Sequence, residues 1–343
     1  QVRYGHQQPL DKTAQTAGQR THHFNLAGLE PGQPVFYEVI AKAGASQLTS
    51  GLLTFRTAPQ STLDSALAFR FTVIGDTEAR PHINQRMGAL IWEERPSFNL
   101  VLGDLTDGGK RPSRFEWTHE YFPGMNALAG RVPQMTLPGN GEGDLYWYRH
   151  YHQNLPNDAR YYEARYGDVA FFFLNSNQPR ELQEGGEQYT WLQNALIASD
   201  ANFKLVCLHH TPWTSDDDDN GDSWTTTPTW GDARLREISG LCENERVNAV
   251  LYGHVHTYER TFPLKQGNIT NQGDGVVYLQ TGGAGGNLED FAPYPAAFSA
   301  KLFRGHHYLR FERQYNYLDV YMHDAEGALR DQYRFYPRAK PKQ

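Results

Sequence analysis

From Val2 to Arg56 the apolar positions come in short alternating runs, Val2-Arg3-Tyr4, Val35 to Ile40 and Leu52 to Arg56, separated by Gly/Pro turns. That is the pattern of half-buried strands in a β-sandwich. The stretch Pro59 to Ser65 is polar and turn-rich, which suits a linker. Beyond it come strands of the fully buried type: Phe69 to Ile74, Phe98 to Leu102, Gln134 to Leu137, Val169 to Leu174, Phe203 to Leu208 and Ala249 to Tyr252. They alternate with helical stretches near Pro81 to Glu94, Ser113 to Met125, Gln188 to Ile197 and Ala233 to Cys242. Such alternation predicts α/β layering. From Gly275 to Phe335 the pattern is mostly β again, with candidate strands at Val276 to Gln280, Tyr308 to Arg313, Tyr317 to His323 and Gln332 to Phe335. The chain is therefore expected to divide into a small all-β unit (1–58), a linker (59–65) and one α/β domain (66–343).

With 343 residues, 39% of them hydrophobic, there is ample material for a core. A formal net charge of -7 and the lack of any Lys/Arg run argue against a nucleic-acid partner, which needs a basic face. No apolar run reaches the ~18 residues of a membrane span. A first residue of Gln rather than Met reads as the product of signal-peptide removal, and Asn268-Ile269-Thr270 spells a glycosylation acceptor. The expected location is secreted or extracellular, periplasmic in a bacterium. Cys207, in a strand-like run, and Cys242, near a helix end, read as two buried thiols rather than a bridge.

The chemistry lies at strand ends. In order these are Gly75-Asp76, Gly103-Asp104-Leu105-Thr106-Asp107, Gly139-Asn140-Gly141-Glu142, Val206-Cys207-Leu208-His209 and Gly253-His254-Val255-His256. Strand C-termini in α/β sheets converge on one crevice, and a glycine there lets the chain turn tightly. Carboxylates, an amide oxygen and imidazoles suit two cations side by side, with one carboxylate bridging. Such a pair, ~3.5–4 Å apart, generates a hydroxide nucleophile and stabilises phosphoryl oxygens during in-line displacement. No thiolate takes part, which disfavours structural zinc. Gly282-Gly283-Ala284-Gly285-Gly286 lacks the Lys-Ser/Thr of a phosphate-binding loop and reads as close backbone packing near the site. Neither a Gly-x-Ser-x-Gly elbow nor a His-Glu-x-x-His helix occurs.

This ordered set resembles the metal-binding motifs of the purple acid phosphatases, within the wider calcineurin-like metallophosphoesterases. GHVHTYER (Gly253 to Arg260), YYEARYGDVAFFFLNSN (Tyr161 to Asn177), QYTWLQNAL (Gln188 to Leu196) and VVYLQTGGAGG (Val276 to Gly286) carry the likeness along most of the chain. LAGLEPGQPVFYEVI (Leu26 to Ile40) with LLTFRTAP (Leu52 to Pro59) looks like the second half of a fibronectin type III domain. The resemblance implies a four-layer αββα metallophosphoesterase sandwich preceded by a fibronectin type III-like β-sandwich, and an exported enzyme acting on phosphate esters or anhydrides. It implies that Asp76, bridging Asp104 and His256 hold a first metal, and Asp104, Asn140, His209 and His254 a second, the ions being Fe, Zn, Mn or Mg. With the first sandwich strands missing, either the chain begins after a cleavage, or a second copy or partner chain covers the open edges.

The sequence departs from the family in three places. The tyrosine whose phenolate binds ferric iron and gives the purple colour is Asp107 here, so the colour should vanish. Glu78 stands where broader relatives place a His, and Asp107 and Glu78 are equal candidates for an extra first-site ligand. Gly141 replaces the His expected to contact phosphate or protonate the leaving group; His210, His150 or His152 are the available stand-ins, and Asp104, Glu142 and His210 form the expected catalytic set. Finally, Asp216 to Asp222 places adjacent carboxylates where relatives carry a substrate-facing His. That run is either a solvated charge cluster or the start of a Ca²⁺ loop, although Thr227 occupies the position of the bidentate Glu. The expected activity is phosphomonoester or phosphodiester hydrolysis by a metal-bound hydroxide, with diesters or anhydrides favoured because good leaving groups need less acid help. The alternative is a metal-retaining binding or structural, even filament-forming, protein that has lost most turnover.

Overall fold

Strands with apolar side chains on both faces need cover on both faces, and this decides the architecture. The computed structural model describes residues 1–59, 68–153, 155–216 and 229–338. The expected linker, apart from Pro59, and the acidic run beyond Asp216, with its calcium reading and Thr227, lie outside the described residues. In β6 (Phe69–Ile74), Phe71 and Val73 enter one core while Ile74 enters another. β7 (Phe98–Leu102) does the same with Leu100 and Leu102 against Val101. β8 (Gln134–Leu137) continues the parallel set. On the other side of β6, antiparallel β18 (His307–Gln314), β19 (Tyr317–Asp324) and β20 (Leu329–Phe335) complete a sheet ordered β20-β19-β18-β6-β7-β8.

A second sheet faces it, ordered β17 (Ser299–Phe303), β13 (Tyr258–Thr261), β16 (Val277–Thr281), β12 (Ala249–Tyr252), β11 (Phe203–Cys207), β10 (Val169–Phe173) and β9 (Tyr162–Tyr166). Its strands β10, β11, β12 and β16 are parallel. Phe71 joins the layers: it stacks on Phe98 at 5.1 Å and on Phe311 at 4.7 Å, and meets Phe171 of the facing sheet edge-on at 5.1 Å. Helices Pro81–Glu93 and Phe122–Ala129 cover the first sheet through Met87, Ile91, Met125 and Leu128. Helices Glu187–Ala198 and Glu237–Asn244 cover the second through Leu192, Leu196, Ile238 and Cys242. The result is the layered αββα order. A hairpin of β14 (Leu264–Lys265) and β15 (Asn268–Ile269) lies beside it.

Some elements differ from expectation. The helix foreseen near Ser113 to Met125 is a short turn, Arg114–Glu116, then a π segment, Trp117–Tyr121, before the regular helix Phe122–Ala129. The Trp117 indole N–H donates to Gly109 O at 2.9 Å, tying this segment to the loop that follows β7. Ahead of the last helix, Ala233–Arg236 forms a 3₁₀ turn capped by Asp232. At the N-terminus, β1 (Val2–Gly5), β2 (Lys12–Ala14), β3 (Pro34–Ala43), β4 (Ser46–Thr49) and β5 (Leu53–Arg56) make one antiparallel sheet, because the long β3 pairs with β1, β4 and β5. A facing sheet is not formed among the described residues. The Tyr37 hydroxyl donates to Gly130 O at 2.6 Å, linking this sheet to the large domain. Cys207 and Cys242 are free and buried, in different cores. No described helix is long and apolar enough to cross a membrane.

His307 makes the protein's stability depend on pH. The ring is fully buried, its Nδ1–H donates to Gly305 O at 2.8 Å and its Nε2 has no partner. Burial pushes it down from 6.5 to about 4. Between these values the unfolded chain binds a proton that the folded ring refuses, so stability present above pH 6.5 is lost as the pH falls. Denaturant titrations of the wild type and His307→Asn from pH 7 to 4 should show the variant losing up to roughly 3 kcal/mol less over this window.

Candidate metal centre

Strands β6, β7, β8, β11 and β12 deliver Asp76, Asp104, Asn140, His209 and the His254/His256 pair from their C-terminal ends. Three of these residues sit in the left-handed region: Asp76 at φ 63°, Asp104 at φ 44° and His254 at φ 72°. That conformation costs a non-glycine residue about 1–2 kcal/mol, a strain that persists where the surroundings dictate it. Here it turns each side chain back over the strand ends.

The first half of the pocket centres on Asp76, which is fully buried and accepts the His254 backbone N–H with both oxygens at 3.0 Å. His256 Nε2 stands 3.5 Å from Asp76 Oδ1 and 3.5 Å from Glu78 Oε1. Its other nitrogen, Nδ1, donates to Asn287 O at 2.6 Å, so Nε2 faces the carboxylates; it is buried without a hydrogen-bond partner. In the second half, Asp104 Oδ1 accepts the Gly141 N–H at 2.6 Å and lies 3.3 Å from His209 Nε2. That nitrogen is 3.0 Å from Asn140 Oδ1, while His209 Nδ1 donates to Leu102 O at 2.8 Å. Asp76, Asp104 and His209 bring donor atoms within 4.8 Å of one another, as do His209, His210 and His254.

These spacings fit cations. With metal–donor bonds of about 2.1 Å, neighbouring donors stand about 3.0 Å apart in octahedral and about 3.4 Å apart in tetrahedral geometry. The electrostatics agree. Burial, then the charges of Asp104 and Asp76, push Glu78 up to about 8, and burial raises Asp76. Burial opposes charge on the imidazoles, yet Asp104 pulls His209 up to about 10, and Asp76, with Glu289 and Glu78, pulls His256 up to about 10. Crowded acids and two rings drawn toward imidazolium both signal a demand for positive charge.

Not every expected residue has the expected place. Glu142 is fully buried, and both its oxygens are occupied: Oε1 accepts from the N–H groups of Leu105 at 2.7 Å and Thr106 at 3.1 Å, Oε2 from Gly139 at 2.6 Å. It ties together the loops that carry Asp104 and Asn140. Asp107 is exposed and its N–H donates to Glu120 at 3.2 Å; Glu78, not Asp107, stands beside His256. His210 is at the pocket, its ring 4.5 Å from His254 and its Nδ1 2.9 Å from Ser176 Oγ. Burial and the neighbouring His209 and His254 push it well below the usual imidazole range. His150 lies 2.9 Å from Thr21 Oγ1, and His152 stacks on Tyr148. Sequence reasoning missed Glu289, which accepts the His256 N–H at 2.9 Å; a lone acid in an irregular loop carries no pattern. The glycine run does pack closely: Ala284 N–H donates to Gly75 O and Gly286 N–H to Asp76 O, and a Cβ on Gly286 would come within 2.7 Å of the His256 ring.

Gly141 explains itself through its neighbours. A Cβ there would lie 2.0 Å from Thr106 O and 3.1 Å from Asp104 Oδ1, and Gly141 O accepts the N–H groups of Gly108 and Gly109. The 104–109 loop thus occupies the space a larger residue would need. Gly141→Ala should destabilise the protein by roughly 1–3 kcal/mol in denaturant unfolding.

Residues 69–258 match the family model described as calcineurin-like phosphoesterase. Purple acid phosphatase 23 of Arabidopsis thaliana is 28% identical over 315 residues, covering 80% of this chain and 65% of its own length. The probable inactive purple acid phosphatase 27 of the same plant is 24% identical over 270 residues, covering 68% of this chain and 42% of its own. Among solved structures, purple acid phosphatase PPD1 from yellow lupin (Lupinus luteus) seeds superposes with a TM-score of 0.76 at 18% identity, over 90% of this chain and 60% of that one. The chain therefore spans less than two thirds of the length of each of these relatives.

Proposed function

Since this chain belongs to the calcineurin-like phosphoesterase family, we propose that it is an exported, binuclear metal-dependent phosphoesterase acting on phosphate esters or anhydrides with good leaving groups. The observation that carries the proposal is the convergence of Asp76, Asp104, Asn140, His209, His254 and His256 at ligand-like spacings. Asp76, Asp104 and His256 would hold one ion, and Asp104, Asn140, His209 and His254 the other. Bound there, the ions would supply Lewis acidity toward the phosphoryl oxygens and activate a water.

The protein's own groups set the geometry. Backbone carbonyls of Leu102 and Asn287 fix the His209 and His256 rings, so that the Nε2 atoms face inward. The Gly141 N–H and the Glu142 frame fix Asp104. Asn140 is exposed, which leaves the pocket open to solvent on the side where substrate enters. With Gly141 in place of the expected acid, leaving groups that need little proton assistance are assigned. Export is supported by the exposed hairpin carrying Asn268-Ile269-Thr270, and the N-terminal sheet is read as part of a fibronectin type III-like domain.

A second reading, a metal-holding protein with little turnover, is favoured by one observation: the 104–109 loop fills the space beside Gly141. Elemental analysis with hydrolysis of nitrophenyl phosphate and bis(nitrophenyl) phosphate separates the two. The proposal expects two metals per chain, turnover of both compounds, and a loss of at least about 10²-fold in Asp104→Asn. Two metals without turnover would select the second reading. An alkyl phosphate should be cleaved slower than the nitrophenyl ester by on the order of 10²–10⁴-fold beyond its intrinsic reactivity difference, the amount a positioned acid ordinarily supplies.

A further inference from the structure

After β6 the chain passes through Asp76 at φ 63° and Ala79 at φ 62°, and these two left-handed residues bracket Thr77 and Glu78. The turn brings the Glu78 carboxylate to the same ring nitrogen that Asp76 approaches, His256 Nε2, with 3.5 Å to each. That nitrogen is buried without a hydrogen bond, and the His256 side chain is 10% exposed. Glu78 itself is shielded, its side chain 12% exposed. Among the described residues no Lys or Arg pairs with it. The nearest one in sequence, Arg80, is turned away and donates to Gly285 O and to Asn287 Oδ1. The rival for the same role, Asp107, is exposed.

A shielded carboxylate with no Arg or Lys partner among the described residues, 3.5 Å from a buried imidazole nitrogen that makes no hydrogen bond and that a second carboxylate also approaches, suits a shared cation that offsets its desolvation. We propose that Glu78 is a ligand of the first metal, completing with Asp76, Asp104 and His256 a set of three carboxylates and one imidazole. The proposal rests on the phosphoesterase reading of the pocket and deepens it. A phenolate is replaced by a second-turn carboxylate reached from β6, not by the aspartate that occupies the phenolate's position in sequence. Oxygen-rich ligation of this kind suits a hard divalent ion such as Mn²⁺. Glu289 accepts the His256 N–H at 2.9 Å and holds the imidazole in register for it.

The test uses the full chain as wild type, Glu78→Gln, Glu78→Asp and Asp107→Asn, each stripped with chelator and titrated with Mn²⁺ by calorimetry, with bound Mn counted by elemental analysis after desalting. Wild type and Asp107→Asn should take two equivalents. Glu78→Gln should keep one and bind the other at least about 100-fold more weakly, more than the loss of an outer hydrogen-bond partner causes. Its metal-free melting temperature should not fall below that of the wild type, because a charge leaves a crowded acidic pocket, and this checks folding. Should Glu78→Gln fail to fold, Glu78→Asp, one methylene short, should weaken the same single equivalent. Two equivalents at wild-type affinity in the folded Glu78 variants overturn the assignment while leaving the pocket's reading intact. Fewer than two equivalents in the wild type overturn both.

Discussion

The constraint on which this structure turns is electrostatic: several carboxylates and imidazoles are gathered where two sheets end, and among the described residues no lysine or arginine pairs with Asp76, Glu78 or Asp104. Asp76, Asp104 and His209 are all but sealed from water. Groups so placed repel one another and lose hydration, a cost that protein dipoles alone do not offset. The surrounding backbone answers in part. Carbonyls of Leu102 and Asn287 take the outward-facing ring protons, and N–H groups of Gly141 and His254 are aimed at the carboxylates. What remains unmet is positive charge at the centre, and the fold is arranged around that deficit.

Much of the scaffold could be read from residue pattern. The strands β6, β7, β8 and β12 begin and end where their apolar runs do, and the polar residues Thr72, Asn99 and Gln134 inside them hydrogen-bond to one another across the sheet. The ligand-bearing turns follow those runs directly, so the pocket's membership could be listed from strand ends. Helix interruptions were less visible. The π segment at Trp117–Tyr121 starts at the residue whose indole reaches the Gly109 carbonyl, a tertiary contact with no local signature. Likewise the N-terminal runs signalled strands correctly but not how they would associate, since pairing partners are chosen across the chain.

Roles within the pocket were harder to foresee than membership. Glu142 follows the motif's spelling and so suggests chemistry, yet both of its oxygens are committed to backbone N–H groups of Leu105, Thr106 and Gly139. Gly141 reads as a deletion of function in sequence, whereas in space it is the condition for the Thr106 carbonyl to pass where it does. Asp107 and Glu78 have equal claims on paper; burial and direction separate them. In each case the deciding quantity is which way a backbone segment faces, and residue type does not encode it.

The donors come from both sheets: Asp76, Asp104 and Asn140 from one, His209, His254 and His256 from the other. An ion bound to this set therefore acts as a rivet through the interface between the layers, and whatever its affinity contributes is felt by the whole domain rather than by one loop. Scarcity of metal in the protein's surroundings then becomes a mechanical matter, since the two halves must hold together on their apolar contacts alone. A chain interrupted between β8 and β11 would own half of each rivet hole, and neither fragment could recruit the ion that the intact domain is shaped to keep.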